Sequence, residues 1–418
     1  MTNNFFEMPI CFVIVVLFLN ACQNEQPKKD LSFTSPKEIA TPCKEGGEPN
    51  LFTSETGMVY LSWVEYLNDT TDALRFSTLE NGKWTSPKTI AKGSNWFVNW
   101  ADFPSLVGYK DKGQSLASHW LQKRAAGTYD YDVHIAQSFD AGKTWQASFI
   151  PHRDSIAAEH GFVSMLPLSA NKIFATWLDG RNTKGEGHTN KEHGHGHHGA
   201  MTLRSAIFDK SGALTQETEL DNRICDCCQT SAALTDKGPI VAYRDRSETE
   251  VRDISVVRQI EGEWTSPKKV YNDNWKIAGC PVNGPVIKAD GAFVAIAWYS
   301  MPKGKAEVKV AFSEDSGATF QPPIKIDRGN PLGRIAIELL PKKKALVSWL
   351  ENGSKEATIR AVKIGLHGKI GDDFILAKTD AARDSGFPVM TKTGKQLVFA
   401  WTQVGEEKTS IKSAVIKL

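Results

Sequence analysis

Apolar strands that carry one aromatic residue near an end recur along the whole chain. In each, a run of apolar positions leads to a Trp or Tyr, and consecutive aromatics stand 51 to 66 residues apart. Short apolar runs of this kind are typical of buried β-strands, and near-constant spacing indicates a repeat architecture. The seven aromatic positions are Trp63, Trp120, Trp177, Tyr243, Trp298, Trp349 and Trp401.

A shorter strand precedes each aromatic strand, another follows it, and a fourth closes most of the units. Only six closing strands follow the seven aromatic strands, but residues 34–40 (TSPKEIA) nearly duplicate the closing strand at 85–91 (TSPKTIA). We therefore predict an all-β fold, a seven-bladed β-propeller of four-stranded antiparallel blades, in which the N-terminal strand completes the last blade. A propeller of six blades, with one degenerate unit outside the ring, is the alternative.

The N-terminus carries a different pattern, an apolar run over residues 9–19 that ends at Leu19-Asn20-Ala21-Cys22. The run is short for a membrane span but suits the core of a secretory signal. Its last four residues resemble a bacterial lipobox, which implies cleavage before Cys22 and acylation of the Cys22 thiol. We predict a lipoprotein signal peptide over 1–21, a tether over 22–31 and one propeller domain over 32–418. A plain secretory signal or an uncleaved anchor is the alternative.

This interpretation places the folded domain in the bacterial cell envelope. The lipid on Cys22 would hold it to a membrane, on the periplasmic or the cell-surface side. The formal net charge is only +2, without long basic runs, which argues against nucleic acid as a partner. We expect a monomer.

Two turns share the pattern S-x-D-x-G-x-T followed by Trp or Phe. Glycine relieves a tight backbone there, and the Asp carboxylate can accept backbone N–H groups. The pattern matches the Asp box, so the chain resembles propellers of the sialidase superfamily, in which this box is structural. The residues are Ser138, Asp140, Gly142 and Trp145 in the first turn and Ser313, Asp315, Gly317 and Phe320 in the second.

Strand direction separates these turns from the loops able to hold a ligand. Antiparallel strands alternate in direction, so the Asp boxes lie on one face, and the loops after the second and fourth strands lie on the other. On that second face the loops after the second strand are longest in units two to four. We therefore expect a ligand site over blades two through five.

Four cysteines enter the propeller on this face. Three precede the first strand of blade four, one precedes that of blade five, and a histidine-rich loop leaves blade three beside them. Thiolate and imidazole suit Cu(I) or Zn(II), the two cofactors that the residues suggest, whereas a disulfide between blades is the alternative. The predicted metal ligands are Cys225, Cys227, Cys228, Cys280, His193, His195, His197 and His198.

The resemblance to sialidases implies another chemistry, an exo-glycosidase acting on acidic sugars. Such enzymes hold the substrate carboxylate with arginines, attack with a Tyr activated by Glu, and protonate with an Asp. The chain departs from the family at the first propeller strand, where Glu48-Pro49-Asn50-Leu51 stands in place of an Arg-Ile-Pro motif. The candidate catalytic residues are Asp102, Tyr131, Glu250, Arg181, Arg244 and Arg252.

A glycan-binding module without catalysis is the third hypothesis. Aromatic side chains on the same face could form a platform for sugar rings, although packing between blades would use them equally well. The sequence favours a metal-binding or binding-only site over the glycosidase. The aromatic residues are Trp96, Phe97, Trp100, Tyr129 and Tyr131.

Overall fold

Seven antiparallel sheets make up the chain in the computed structural model, which describes residues 1–2, 33–184 and 199–418. Cys22 and the histidines predicted as ligands fall outside these ranges. Within them, no helix has the length and apolar character needed to cross a membrane. Helical structure there consists of the 3₁₀ turns Arg181–Thr183, Pro302–Gly304 and Arg383–Ser385.

The strands of the first half of the chain are β1 (Lys37–Ile39), β2 (Gly46–Thr53), β3 (Val59–Asn68), β4 (Thr71–Glu80), β5 (Lys83–Trp84), β6 (Lys88–Gly93), β7 (Ser105–Gly108), β8 (Leu116–Lys123), β9 (Tyr131–Ser138), β10 (His160–Pro167), β11 (Lys172–Asp179), β12 (Thr202–Asp209) and β13 (Leu214–Asp221). Those of the second half are β14 (Ser231–Leu234), β15 (Pro239–Arg244), β16 (Ile254–Ile260), β17 (Glu263–Trp264), β18 (Lys268–Lys269), β19 (Val286–Asp290), β20 (Phe293–Ser300), β21 (Glu307–Ser313), β22 (Ile324–Lys325), β23 (Pro331–Leu340), β24 (Lys344–Asn352), β25 (Ala357–Gly365), β26 (Gly368–Lys369), β27 (Phe374–Thr379), β28 (Val389–Thr393), β29 (Gln396–Val404) and β30 (Thr409–Lys417).

These strands form blades 1 to 7 in chain order, and the second strand of each carries the aromatic residue that the sequence singled out. In blades 1, 4 and 6 the outer strand is divided into two segments that pair with the same neighbour. In blade 2 the outer strand is reduced to one bridge between Ile135 and Phe149. The blades are β2–β6, β7–β9, β10–β13, β14–β18, β19–β22, β23–β27 and β28–β30 with β1.

The N-terminal strand β1 closes the ring on the outer edge of blade 7. Lys37, Glu38 and Ile39 pair antiparallel with residues 413–415 of β30. The Trp84 indole of blade 1 also donates a hydrogen bond to Ser413 Oγ at 2.8 Å. The seven-bladed prediction is confirmed and the six-bladed alternative is wrong, because the described strands form seven sheets. Without β1, strand β30 would present an unpaired outer edge.

The core lies between successive blades, where apolar faces of neighbouring sheets pack. Trp63, Trp298 and Trp349 on second strands are completely buried. A fully buried side chain of this size contributes about 1.5–3 kcal/mol or more through apolar burial. The indole N–H groups of Trp298 and Trp349 donate to Asp273 and Glu351. The aromatic signature of the sequence therefore belongs to the packing of the blades.

The two S-x-D-x-G-x-T turns adopt the same hydrogen-bonded form. Asp140 accepts bonds from the backbone N–H groups of Lys143 and Thr144, each at 2.9 Å. Asp315 accepts the backbone N–H of Thr319 at 2.8 Å and the Thr319 hydroxyl. Each turn joins the third strand of its blade to the outer edge. Both turns therefore lie on the face opposite the loops that carry the cysteines and lead into Tyr131.

A bulge at the start of the inner strand directs side chains toward the mouth of the central channel. Register shifts follow Gly47 in blade 1, Gly161 in blade 3 and Gly333 in blade 6. Phe162 and Arg334, directly after two of these glycines, have φ of 53° and 52°. A bulge re-aims the residues around it. On the bulge of blade 3, the backbone N–H of Phe162 donates to Asp102, which precedes the first strand of blade 2.

Candidate functional site

Three thiols converge between blades 3 and 4. The segment 225–228 links β13 to β14, and the backbone N–H of Cys225 donates to the carbonyl of Arg244 at 3.0 Å, which fixes the turn. Cys225 Sγ lies 3.4 Å from Cys228 Sγ and 3.9 Å from Cys227 Sγ. All three sulfur atoms lie within 4.8 Å of one another, close enough to share one metal ion. We call these three residues the thiol trio.

Cys280 approaches the thiol trio from the loop between β18 and β19, as the strand order predicted. Its thiol is close enough to Cys227 to raise the pKa of that residue. It does not belong to the group of sulfur atoms that are mutually within 4.8 Å. All of these cysteines are free thiols, as is Cys43 in a separate position between β1 and β2.

Two buried arginines surround the thiol trio. Arg252 donates a hydrogen bond to Cys225 Sγ at 3.2 Å and another to Glu250 Oε2 at 2.9 Å. The Arg244 guanidinium lies over the Trp275 ring. In the described part of the chain its hydrogen bonds go to backbone carbonyls, those of Asn283, Arg252 and Tyr299.

This positive environment acts on the buried thiol that it touches. Burial opposes ionisation of Cys225, but its contacts with Cys227 and Cys228 and the charges of Arg252 and Arg244 outweigh burial. Together they hold the pKa of the Cys225 thiol well below its ordinary value. A thiolate is the form of cysteine that binds metal, so the surroundings prepare Cys225 for a cation. Burial raises the pKa of Cys228 to about 12, and the neighbouring thiols raise the pKa of Cys227.

A second cluster is centred on Tyr131, the first residue of β9. The Tyr131 hydroxyl lies 3.0 Å from Asp102 Oδ2 and 3.0 Å from Glu159 Oε1. Asp102 also accepts the backbone N–H of Phe162 at 2.6 Å, on the bulge of blade 3. The Phe97 ring stacks on Tyr131 with centroids 4.1 Å apart. We call Tyr131, Asp102 and Glu159 the tyrosine–carboxylate cluster.

Burial dominates the acid–base behaviour of this cluster. It raises the pKa of Asp102 to about 7, against the lowering effect of bonds from Phe162 and Tyr131. It raises the pKa of Glu159 to about 8, with the Asp102 charge adding to the effect. Burial and the two carboxylates raise the pKa of Tyr131 well above its ordinary value. Two carboxyl groups that share one phenol therefore retain protons near neutral pH.

The two clusters are neighbours on one face. The charges of Asp226 and Cys280 act on Glu159, which places the thiols beside the tyrosine–carboxylate cluster. Gln229, next to the thiol trio, donates to the carbonyl of Ala101 at 2.6 Å, one residue before Asp102. A cavity of about 250 Å³ in the central channel is lined by Asp102 and Gln229 among others.

The structure disperses the other predicted glycosidase residues. Arg181 is held by Asp179, at 2.7 Å and 2.6 Å, and by Asp154 at 3.1 Å. Glu250 pairs with Arg246 and Arg252, and these partners lower its pKa despite the opposing effect of burial. Among the described residues, the Tyr131 hydroxyl bonds only Asp102 and Glu159. Within the predicted set of Asp102, Tyr131, Glu250, Arg181, Arg244 and Arg252, hydrogen bonds join Asp102 to Tyr131 and join Arg252 to Glu250 and Arg244, whereas Arg181 bonds Asp179.

A buried histidine pair lies behind this cluster. The rings of His152 and His160 stack face to face, 3.7 Å apart and 4° from parallel. A metal ion binds in the plane of an imidazole ring, so two parallel rings at this separation cannot share one. His160 instead lies 3.2 Å from Asp154 and 3.6 Å from Asp179, which help to raise its pKa against the effect of burial.

Most members of the predicted aromatic platform are partly buried and stack on neighbouring rings, and Tyr131 is completely buried. Trp96 stacks on Trp120, and Trp100 stacks on Phe387. Tyr129, which is 56% exposed, is the member that faces solvent freely. It contacts Phe97 edge-on and so borders the tyrosine–carboxylate cluster.

Sequence reasoning missed two features of the site. It did not single out Glu159 as a partner of Tyr131, since these residues come from adjacent blades. It also treated Arg252 as a ligand for a substrate carboxylate, whereas the guanidinium contacts Cys225. The signal that could have found Glu159 is its position directly before β10, where the inner strand of a blade begins.

No protein-family model and no curated protein matches the sequence. Among solved structures, a protein of unknown function from Dyadobacter fermentans is similar with 13% identity and a TM-score of 0.54, over 92% of this chain and 99% of that one. The endosialidase of phage phi92 is similar with 9% identity and a TM-score of 0.50, over 92% of this chain and 69% of that one. An ulvan lyase of polysaccharide lyase family PL25 has 12% identity and a TM-score of 0.48, over 80% and 82%. The chain is therefore a seven-bladed β-propeller whose fold is similar to that of the phage phi92 endosialidase.

Proposed function

We propose that this protein binds a thiophilic metal ion, Cu(I) or Zn(II), at the thiol trio. The observation that carries the proposal is the convergence of three sulfur atoms within 4.8 Å, on a loop held between two blades. Soft thiolate ligands select these ions among the common ones. The buried charges of Arg252 and Arg244 favour the thiolate of Cys225 and would offset the negative charge of a metal–thiolate complex.

A disulfide is the competing use of these cysteines. One disulfide would engage two of the three thiols and leave the third beside it, whereas a metal ion engages all three. The hydrogen bond from Arg252 to Cys225 also favours an anionic sulfur, which a disulfide lacks. Metal binding therefore accounts for more of the observed contacts.

Metal analysis and thiol counting on the purified full-length protein test the proposal. Histidine is a common metal ligand, so the predicted ligands His193, His195, His197 and His198 are first replaced by Ala to isolate the contribution of the cysteines. We expect about one ion per chain in this background, lost on adding Cys225→Ser with Cys228→Ser. Cys43→Ser is the matched control and should retain the ion. Metal-free protein with Cys225 and Cys228 oxidised would contradict the proposal.

The tyrosine–carboxylate cluster supports a second candidate, hydrolysis of a glycosidic bond. A Tyr hydroxyl 3.0 Å from each of two carboxyl groups of raised pKa provides a nucleophile, a base and an acid within one site. Turnover of a panel of fluorogenic glycosides, including a sialoside, tests this candidate. Tyr131→Phe should abolish any turnover, and Cys43→Ser should leave it unchanged. Equal rates for Tyr131→Phe and the unmodified protein would eliminate it.

Attachment to the cell envelope through Cys22 belongs to the same proposal, on the strength of the apolar run and the four residues that end it. Metabolic labelling with an alkynyl fatty acid, followed by fractionation, tests it. We expect label and membrane association in the unmodified protein and neither in Cys22→Ser. A labelled Cys22→Ser protein would refute acylation at that residue.

A further inference from the structure

The four thiols of the candidate site are graded in their access to solvent. Cys280 is exposed and Cys227 is partly buried. Cys225 and Cys228 are each only 1% exposed. An ion arriving from solvent therefore meets these sulfur atoms in a fixed order, and it reaches the innermost pair only after it has passed the other two.

The contacts follow the same order as the burial. Cys280 and Cys227 are neighbours, since Cys280 raises the pKa of Cys227 and Cys227 lowers that of Cys280. Cys227 Sγ is 3.9 Å from Cys225 Sγ, which in turn is 3.4 Å from Cys228 Sγ. Cys280 is not one of the sulfur atoms that lie mutually within 4.8 Å. The arrangement is thus a compact trio with one outlying thiol, and it differs from a tetrahedral set of four equivalent ligands.

This difference bears on which metal the site accepts. A structural Zn(II) site takes four ligands at once in a closed tetrahedron, so a fourth thiol outside the compact group fits it poorly. Soft Cu(I) is also selected by thiolates, and two or three sulfur ligands suffice for it. Two thiolates can therefore hold Cu(I) at each stage while it exchanges one ligand for the next.

We propose that Cys280 is the entry ligand of a Cu(I) relay, in which the ion binds first between Cys280 and Cys227 and then moves inward to the thiol trio. This inference rests on the metal-binding function proposed above. In the transfer step a Cu–S bond forms to Cys225 and the Cu–S bond to Cys280 breaks. Cys225 binds as the thiolate that its surroundings favour and so releases no proton, and the Cys280 sulfur leaves as a thiolate that solvent can protonate. Copper stays Cu(I), so the step needs no oxidant or reductant.

Anaerobic transfer of Cu(I) from its bicinchoninate complex, with excess reductant, tests the relay in the full-length protein that carries the four His→Ala changes. For Cys280→Ser we expect the uptake rate to fall about tenfold or more, while the final affinity stays within about threefold. For Cys228→Ser we expect the affinity itself to fall at least about 100-fold. Cys43→Ser should change neither quantity. Thermal unfolding followed by circular dichroism verifies that each variant is folded.

Two results would overturn the relay. One is a loss of affinity in Cys280→Ser as large as that in Cys228→Ser, which indicates a closed site of four thiols. The other is an unchanged uptake rate in Cys280→Ser, which removes its role in entry. Failure of the parent protein to bind Cu(I) or Zn(II) would refute the proposed function itself, so the two failures are distinguishable.

Discussion

The thiol trio and the tyrosine–carboxylate cluster lie side by side but have opposite electrostatics. Around the trio, Arg252 contacts a sulfur atom, and Arg244 is bonded to backbone carbonyls. Around Tyr131, two buried carboxyl groups share one phenol, and no described arginine bonds that hydroxyl. The arginines near the thiol trio thus favour the thiolate of Cys225. Burial instead keeps protons on the two carboxyl groups beside Tyr131.

This contrast shows how one propeller face can hold two distinct chemistries. Loops from adjacent blades meet at each blade boundary, so each boundary combines residues that the sequence keeps far apart. The boundary of blades 3 and 4 gathers cysteines, and that of blades 2 and 3 gathers acids and histidines. A change in one region should therefore leave the other largely intact.

Arg252→Met should have the largest effect on stability, because it removes the positive charge that contacts the thiol trio. The change leaves Cys225 without its guanidinium partner and Glu250 with Arg246 alone, and we expect the free energy of unfolding to fall by about 3 kcal/mol. Guanidinium chloride unfolding measures this loss. Arg252→Lys keeps the charge without the planar fork and should lose less. An equal loss in both variants would show that the charge is not what stabilises this region.

The pH dependence of stability tests whether the carboxyl groups of the tyrosine–carboxylate cluster are protonated. The folded protein holds protons on Asp102 and Glu159 up to pKa values of about 7 and about 8, whereas the unfolded chain releases them near pH 4. The free energy of unfolding should therefore fall as pH rises from about 5 to 8. Asp102→Asn combined with Glu159→Gln should flatten this decline by several kcal/mol, because one pKa unit corresponds to about 1.4 kcal/mol.

Urea unfolding at several pH values measures that difference. His160, whose pKa is raised, contributes a loss of stability in the same direction, and His152, whose pKa is lowered, contributes in the opposite one. Comparison of the variant with the parent protein removes both contributions, because neither histidine is altered. Parallel pH profiles for the two proteins would argue against protonated carboxyl groups at Tyr131.

Tyr129→Ala should have the smallest effect on stability and test whether the acidic region faces a ligand. Its side chain is 56% exposed, so the free energy of unfolding should change by less than about 0.5 kcal/mol. If a sugar binds beside Tyr131, the variant should lose signal on a glycan array. Tyr271→Ala, another exposed tyrosine, is the matched control. Glycan binding that survives Tyr129→Ala would remove this residue from the site.

The sequence predicted the architecture because each blade repeats the same strand pattern, with an aromatic residue on its second strand. Trp63, Trp298 and Trp349 mark second strands, since a propeller packs one face of each blade against the next. The duplicated TSPK segment predicted that β1 would pair with β30, and it does. Strand direction also predicted that the cysteines and Tyr131 would share a face, because alternation is a property of antiparallel sheets.

The partners within that face were decided by tertiary structure. Glu159 meets Tyr131, and Arg252 meets Cys225, through contacts across blade boundaries and loops that no periodicity encodes. The sequence offered six candidates for one glycosidase site, and most of its arginines are engaged elsewhere because buried charges require nearby partners. The propeller fold and the face that holds the candidate site therefore follow from the strand pattern of the sequence. The chemistry of the site depends on which loops the closed ring brings within hydrogen-bonding distance.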